Sequence, residues 1–370
     1  MSLKDLTLEI TKKCPMRCIL CSSDGGDPLP AEFSLSELKD IVTQAKSIGV
    51  SEISLSGGEP LVYPHVLDLC KYIAELKIAI SVYTSGNIFD ESNQISPISV
   101  DYFQKLKNAG INKVVFSLHG SNSQTHDQIT GIPKSFENLM FSIGNLQKVE
   151  LSTEIHFVPL RENFKDLPAI ISLVKKMGLK SVHILRFVPQ GRGEKYKDIL
   201  ELHPNDILEL REILTKLMNN SDINIIVGAH YNCLGLGNDI KCTAGINKAV
   251  IRPDGFVFPC VGMKKIESFI DCNNVKDDNL EHIIDESCGF RLLKSLLDDA
   301  DNGSCQHCKG EYSCTNGCIA QRLISHGTNI LKKDPHCIQH SEKLTRLLSE
   351  NNKLSIIKDY KKGVSYAGDY

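Results

Sequence analysis

The chain has 370 residues and a formal charge of −3, enough for two or three domains of ordinary size. Apolar residues make up 41% and charged residues 24%. That composition excludes a disordered, collagen-like or coiled-coil chain, and the near-neutral charge, without basic stripe or basic tail, argues against a nucleic-acid or membrane-surface binder.

Apolar, β-branched runs at 6–10, 52–55, 79–83, 113–118, 152–158 and 181–187 read as strands. Helical patterns lie between and after them, at 34–47, 64–76, 100–109, 135–147, 166–177 and 205–218. The first of these opens at Ser34 with Glu37 three residues on, a capping-box signature. Six βα units in a row predict a parallel sheet joined by right-handed crossovers, either a partial or full barrel or an open doubly wound sheet, with function in either case at the C-terminal ends of the strands. No apolar run reaches the ~18–20 residues of a membrane span. The N-terminus lacks a signal-peptide core, so a cytoplasmic protein is expected.

Fourteen cysteines in such a chain point to metal or redox chemistry rather than a disulfide frame. They fall into two groups. Cys14, Cys18 and Cys21 follow the first strand, and Cys233, Cys242, Cys260, Cys305, Cys308, Cys314, Cys318 and Cys337 lie in the last third. Cys70, Cys272 and Cys288 read as core or spectator residues. The chain therefore divides into a Cys-poor α/β part over 1–225, a Cys-rich part over 226–347 and a polar tail over 348–370.

Cys14-Pro-Met-Arg-Cys18-Ile-Leu-Cys21 is C-x3-C-x2-C. Three thiolates on one loop suit an iron–sulfur cluster, and three ligands leave one iron of a four-iron cluster open. Structural zinc, which takes four ligands, is the alternative. Ser56-Gly57-Gly58-Glu59-Pro60 ends the second strand. Two glycines permit close backbone approach. These motifs, with Thr84-Ser85-Gly86-Asn87 and Ser117-Leu118-His119-Gly120 at later strand ends, resemble the radical SAM superfamily.

The resemblance implies a partial (β/α)6 TIM-like barrel. It implies a [4Fe–4S] cluster on Cys14, Cys18 and Cys21 that binds S-adenosylmethionine (SAM) at its open iron. Gly57, Gly58, Glu59 and Pro60 would meet the methionine part, and Ser85, Asn87 and Ser117 the ribose and carboxylate. Arg186, near the end of the sixth strand, is a candidate carboxylate clamp. The chain departs from the family at Leu20, where an aromatic residue is common, and at His119 and Thr130, where Asp and Arg are common.

The late cysteines follow C-x12-G-x4-C, then C-x2-C-x5-C-x3-C, then a lone Cys. This resembles the seven-cysteine SPASM domain, which implies two auxiliary [4Fe–4S] clusters. Position by position, Cys242, Cys260 and Cys318 would bind the first, with Cys233 completing it. Cys305, Cys308, Cys314 and Cys337 would bind the second. Two zinc sites are the alternative, since either metal would help a small Cys-rich domain to fold.

The expected activity is reductive cleavage of SAM followed by hydrogen abstraction from a peptide or protein substrate, giving a cross-link, an epimer or an oxidised residue. A dehydrogenase or epimerase of a small metabolite is the second reading, and a non-enzymatic zinc or iron–sulfur protein the third. A flavodoxin- or ferredoxin-type donor would supply electrons. Because Cys14 leaves no room for a leader-recognition domain before it, a separate leader-peptide-binding protein is a further expected partner. Val261 after Cys260 counts against sulfatase maturation, where the family has Asp. Tyr83, His119 and Arg192 are the candidate catalytic side chains.

Overall fold

The computed structural model describes residues 3–236, 242–265, 273–298, 317–327 and 332–337. Cys272, Cys305, Cys308, Cys314 and the 348–370 tail lie outside the described residues. The strands are β1 (Asp5–Thr11), β2 (Glu52–Gly57), β3 (Ala79–Thr84), β4 (Asn87–Phe89), β5 (Ile95–Pro97), β6 (Lys113–Ser117), β7 (Ser152–Phe157), β8 (Ser181–Ile184), β9 (Asn224–Val227), β10 (Lys248–Ile251) and β11 (Val257–Phe258). Nine of them form one sheet in the order β11-β10-β1-β2-β3-β6-β7-β8-β9, and β4 and β5 form a small hairpin. Neighbours in the large sheet run parallel except β10 and β11. The sheet is open, with β9 and β11 as its edges.

All six expected strands are present. The last is shorter than its apolar run, ending at Ile184 rather than Phe187. Beyond it Leu185 makes one more bond to β7, through Phe157 O at 2.8 Å, and the chain leaves the sheet toward Pro189. The helix Leu35–Ser47 starts as its capping box predicts: Ser34 Oγ accepts from Glu37 N at 3.3 Å and Glu37 Oε2 accepts from Ser34 N at 2.8 Å.

The two faces of the sheet differ in chemistry. Leu8, Ile10, Leu55, Val82, Phe116, Phe157 and Ile184 alternate onto one face and share a core with the helices, through Leu38, Leu69, Phe103, Ile143 and Leu210. The other face carries Glu9, Ser54, Ser56, Ser81, Tyr83, Lys113, Ser117, Glu154, His156 and His183. Register places these residues side by side: Glu9 with Ser56, Ser54 with Ser81, Ser117 with His156, His156 with His183. A doubly wound sheet has two apolar faces, each under helices. One apolar and one polar face is the arrangement of a barrel-type sheet whose inner surface lines a polar space.

The expected division at residue 225 falls within β9. After it the chain crosses to the far side of the sheet, where β10 pairs with β1 from Asp5–Lys248 to Leu8–Ile251. The Cys-rich part holds more regular structure than its composition suggests: helices Leu280–Glu286, Cys288–Asp298 and Ile319–His326. Leu280, Ile283, Ile284 and Phe290 join the main core, whereas Ala244, Met263, Leu293, Ile319 and Leu323 form a small core of their own. No helix among the described residues is long and apolar enough to cross a membrane.

A short helix, Ser123–Thr130, escapes the sequence pattern because it is mostly polar. Asn122 caps it, accepting from Thr125 N at 3.0 Å, and Gly131 ends it in the left-handed region at φ 71°. His126 on this helix is 1% exposed, and its Nδ1 accepts from His119 N at 3.1 Å. Burial pushes the imidazole down from 6.5 to about 4. Below pH 6.5 the unfolded chain binds a proton that the folded chain refuses, so stability falls with pH until the folded group titrates as well. Between pH 7 and 5 this site alone costs about 2 kcal/mol. His126→Asn keeps an acceptor near Nδ1 without the titration. In anaerobic urea titrations it is expected to lose about 2 kcal/mol less than wild type over that range; equal losses would contradict a neutral, buried His126.

Candidate metal and cofactor centre

The Cys14–Cys21 loop leaves β1 at the C-terminal end of the sheet. Its backbone is pinned on both sides. Cys14 N donates to Gly26 O at 2.8 Å, Arg17 N to Thr130 O at 2.9 Å and Ile19 N to Ile129 O at 2.9 Å. The three thiols are near enough to repel one another as thiolates. Burial, followed by the charge of Cys21, pushes Cys18 up to about 12, and burial raises Cys14 too. Gly25 N donates to Cys21 Sγ at 3.3 Å. Half-buried, mutually repelling sulfur donors with an amide directed at one of them suit a thiolate-bound metal centre, because bound cations reverse the penalty on the thiolates. The sulfur-only donor set fits an iron–sulfur cluster, with zinc as the chemical alternative.

Gly57 and Gly58 meet this loop's own backbone. A Cβ on Gly57, at φ +127°, would lie 2.3 Å from Thr11 O, and one on Gly58 would lie 2.3 Å from Lys13 O. Gly58 N donates to Thr11 O at 2.7 Å and Glu59 N to Lys13 O at 2.9 Å. The close approach read from the sequence as contact with a ligand is therefore, in the structure, contact between the β2 end and the β1 end. Glu59 is 1% exposed. Its carboxylate accepts from Ser85 N at 2.9 Å, Ser85 Oγ at 2.8 Å and Leu61 N at 3.3 Å. Burial pushes it up to about 7 against those hydrogen bonds. Pro60 opens the short 3-10 turn that follows.

Ser85 is thus engaged by Glu59. Asn87 is fully buried: its Nδ2 donates to Ser85 O at 2.9 Å and Ser135 O at 3.2 Å, and its Oδ1 accepts from Asn138 at 3.0 Å. These bonds make Asn87 a brace between β4 and the helix Ser135–Gln147. Ser117 ends β6 opposite His156. His119 is buried beside His126, and burial pushes it down to about 3, so it is neutral. Its Nδ1 has no hydrogen-bond partner among the described residues. Tyr83 sits edge-on to His156 at 5.1 Å on the polar face of the sheet.

The structure moves both arginines from their expected roles. Arg192 holds the cysteine loop: Nε donates to Cys18 O at 2.8 Å, Nη2 to Gly25 O at 2.8 Å and Nη1 to Asp24 Oδ1 at 3.2 Å. Gly191 and Gly193 flank it tightly, for a Cβ on Gly191 would lie 2.8 Å from Ser22 O and one on Gly193 3.0 Å from Leu20 O. Arg192 is a brace for the loop rather than a free catalytic group. Arg186 does not point a free guanidinium at a ligand carboxylate. Nη1 and Nη2 each donate to Asp334 at 2.7 Å, and both side chains are 2% exposed.

Cys242, Cys260 and Cys318 pack against the small C-terminal core and lie within charge reach of one another. Burial pushes Cys260 up to about 12 and Cys318 to about 11. Gly262 N donates to Cys260 Sγ at 3.3 Å. Cys233, 3% exposed, packs in the main core with Tyr231 and Leu234, and like Cys318 it lies within charge reach of Arg186. Cys337 follows Asp334, with Cys337 N donating to Asp334 O at 2.9 Å. The other three cysteines of the second expected set lie outside the described residues. Cys70 is fully buried in the main core, and Cys288 is exposed.

Two features of the site lack a sequence signal. Lys264, 3% exposed, donates to Glu9 Oε1 and Ser23 Oγ, each at 2.5 Å, and so ties the C-terminal part to β1 and the cysteine loop. An open cleft beside it is lined by Lys12, Gly57, Gly58 and Arg252. On the polar face, Lys113 donates to Glu154 Oε1 at 3.0 Å and His183 Nε2 lies 3.1 Å from Glu154 Oε2. These contacts join residues 41 and 29 positions apart and become visible only once register is known.

Comparisons with known proteins agree with this geometry. The model of the Radical SAM superfamily matches residues 8–174, and that of the SPASM iron–sulfur cluster-binding domain matches residues 242–309. An AdoMet-dependent heme synthase of Methanosarcina barkeri is 25% identical over 352 residues, covering 89% of this chain and 95% of that protein. The mycofactocin maturase MftC of Mycolicibacterium smegmatis is 26% identical over 341 residues, covering 90% and 82%. The crystal structure of Streptococcus suis SuiB bound to S-adenosylmethionine superposes with a TM-score of 0.70 at 18% identity, covering 91% of this chain and 77% of that one. That last likeness is one of fold. With the cysteine loop, the one-sided sheet and both domain matches in the same order along the chain, this protein belongs to the radical SAM superfamily and carries a C-terminal SPASM domain.

Proposed function

We propose that this chain is a radical SAM enzyme that modifies a peptide or protein substrate. The observation that carries the reading is the set of three half-buried thiols on one loop, beside the Gly57-Gly58-Glu59 backbone. When bound there, a [4Fe–4S] cluster with SAM on its open iron supplies a 5′-deoxyadenosyl radical able to abstract hydrogen from an unactivated C–H bond. Cys14, Cys18 and Cys21 are the proposed ligands. The same reading gives Cys233, Cys242, Cys260 and Cys318 to one auxiliary cluster and Cys305, Cys308, Cys314 and Cys337 to another.

The chain's own residues then hold and shield. Arg192 fixes the loop carbonyls. Glu59 and Ser85 fix the turn after β2 and present its backbone to SAM. Ser117 and His119, at the end of β6, face the same region, with neutral His119 offering a hydrogen-bonding nitrogen. The polar row Tyr83, Lys113, Glu154, His156 and His183 would receive the substrate on the polar face of the sheet. An external flavodoxin- or ferredoxin-type protein is the proposed electron donor.

The peptide reading is supported by the maturase MftC and by a PqqA peptide cyclase of Rhizobium meliloti that is 25% identical over 360 residues. A small-metabolite substrate is the second reading, favoured by the heme synthase relatives. Anaerobic incubation with dithionite and SAM decides the class of reaction: wild type is expected to release 5′-deoxyadenosine, and Cys18→Ala none. Equal release by both would overturn the reading. Stimulation by peptides encoded beside the gene, with deuterium passing from peptide to 5′-deoxyadenosine, supports the first substrate class; stimulation by metabolites alone supports the second.

Arg192 offers a narrower test. Its three hydrogen bonds are charge-assisted, each worth about 1.5–3 kcal/mol. Arg192→Ala is expected to lose most of the iron bound at the N-terminal loop while keeping the iron of the SPASM domain. Full N-terminal loading would contradict the bracing role.

A further inference from the structure

Arg186 and Asp334 form a two-pronged ion pair, both side chains 2% exposed. Burying such a pair costs several kcal/mol of lost hydration per ion, and apolar side chains of the same volume often stabilise as well. The pair therefore has a poor claim as a mere fastening. Its other contacts show where its charges act. Arg186 Nη1 also donates to His230 O at 3.1 Å, in the turn Ala229–Leu234 that carries Cys233. Asp334 Oδ2 accepts from Cys318 N at 2.7 Å and Oδ1 from His336 N at 2.8 Å. The guanidinium is within charge reach of Cys233 and Cys318. Its Nε is buried without a hydrogen-bond partner among the described residues. A cation with one spare donor thus lies among two candidate sulfur ligands, held there by an anion on the backbone of one of them.

We propose that Arg186 is a positioning residue whose buried positive charge raises the reduction potential of the auxiliary cluster held by Cys233, Cys242, Cys260 and Cys318, and that Asp334 opposes it. Reduction adds negative charge to a cluster. A fixed cation, or an N–H directed at its sulfurs, favours the reduced form, and a fixed anion disfavours it. The inference rests on the auxiliary-cluster reading of the function proposed above, and it predicts opposite effects from the two halves of one ion pair.

The test is an EPR-monitored redox titration of the full-length, anaerobically reconstituted enzyme, with iron counted in each sample. Arg186→Gln is expected to shift the auxiliary midpoint to more negative potential, Asp334→Asn to more positive potential, and Arg186→Lys to leave it near wild type. The cluster on the N-terminal loop is expected to keep its midpoint in all three. Shifts of the same sign in Arg186→Gln and Asp334→Asn, or none in either, would overturn the proposal and leave a structural role. Should Arg186→Gln lose the cluster, the other two variants decide: a raised midpoint in Asp334→Asn with Arg186→Lys unmoved supports the charge effect, and an unmoved Asp334→Asn overturns it. Wild-type enzyme with iron at the N-terminal loop alone would instead refute the auxiliary-cluster reading itself.

Discussion

The site depends on one close approach of backbone to backbone. The end of β2 presses Gly57 and Gly58 against Thr11–Lys13, so closely that a methyl group at either glycine would overlap a carbonyl oxygen. This contact sets where β1 stops and the cysteine loop begins. It also buries Glu59, whose carboxylate accepts from Ser85 and Leu61. A bulge in the β1–β2 pairing between Glu9 and Thr11 accompanies the approach. The two glycines in the Gly57–Pro60 motif therefore act first on the chain itself, and the cofactor-facing geometry follows from that packing.

The second constraint is the return of the C-terminal part to the core. β10 extends the sheet beyond β1, Lys264 reaches Glu9 and Ser23 behind the cysteine loop, and Asp334 reaches Arg186 near the end of β8. Each tie joins a residue in or beside the large sheet to one beyond residue 247. The two parts share core as well as ion pairs, for Leu280, Ile283 and Phe290 pack with the sheet's helices. Such a layout fixes the part that carries Cys242, Cys260 and Cys318 against the part that carries the Cys14–Cys21 loop.

Local signals were legible in the sequence where a residue answers to its own neighbours. The six strands, the capping box at Ser34 and the C-x3-C-x2-C loop all have short-range causes. The short strands β9, β10 and β11 were not legible, because two to four residues carry no usable period. The partners of the two arginines were hidden for a related reason. Both arginines lie near the end of a strand, where a ligand clamp is chemically sensible. Their partners, however, are 148 positions away for Arg186 and 174 for the Cys18 carbonyl that Arg192 holds. The flanking glycines 191 and 193 were the available signal that Arg192 packs against backbone. The polar face of the sheet was hidden in plain alternation: Glu154 and His156 look like the solvent side of a strand until register shows them facing Tyr83 and His183.

The most direct test is the EPR spectrum of the reduced N-terminal cluster with and without SAM, recorded on enzyme in which all eight proposed auxiliary ligands, Cys233, Cys242, Cys260, Cys305, Cys308, Cys314, Cys318 and Cys337, are replaced by Ala. Three sulfur ligands leave one iron open to the amino acid part of SAM. The account predicts that SAM changes the g-values of the signal, and that Cys18→Ala removes the signal altogether. A [4Fe–4S] spectrum indifferent to SAM, or a loop that takes up zinc and no iron, would contradict it.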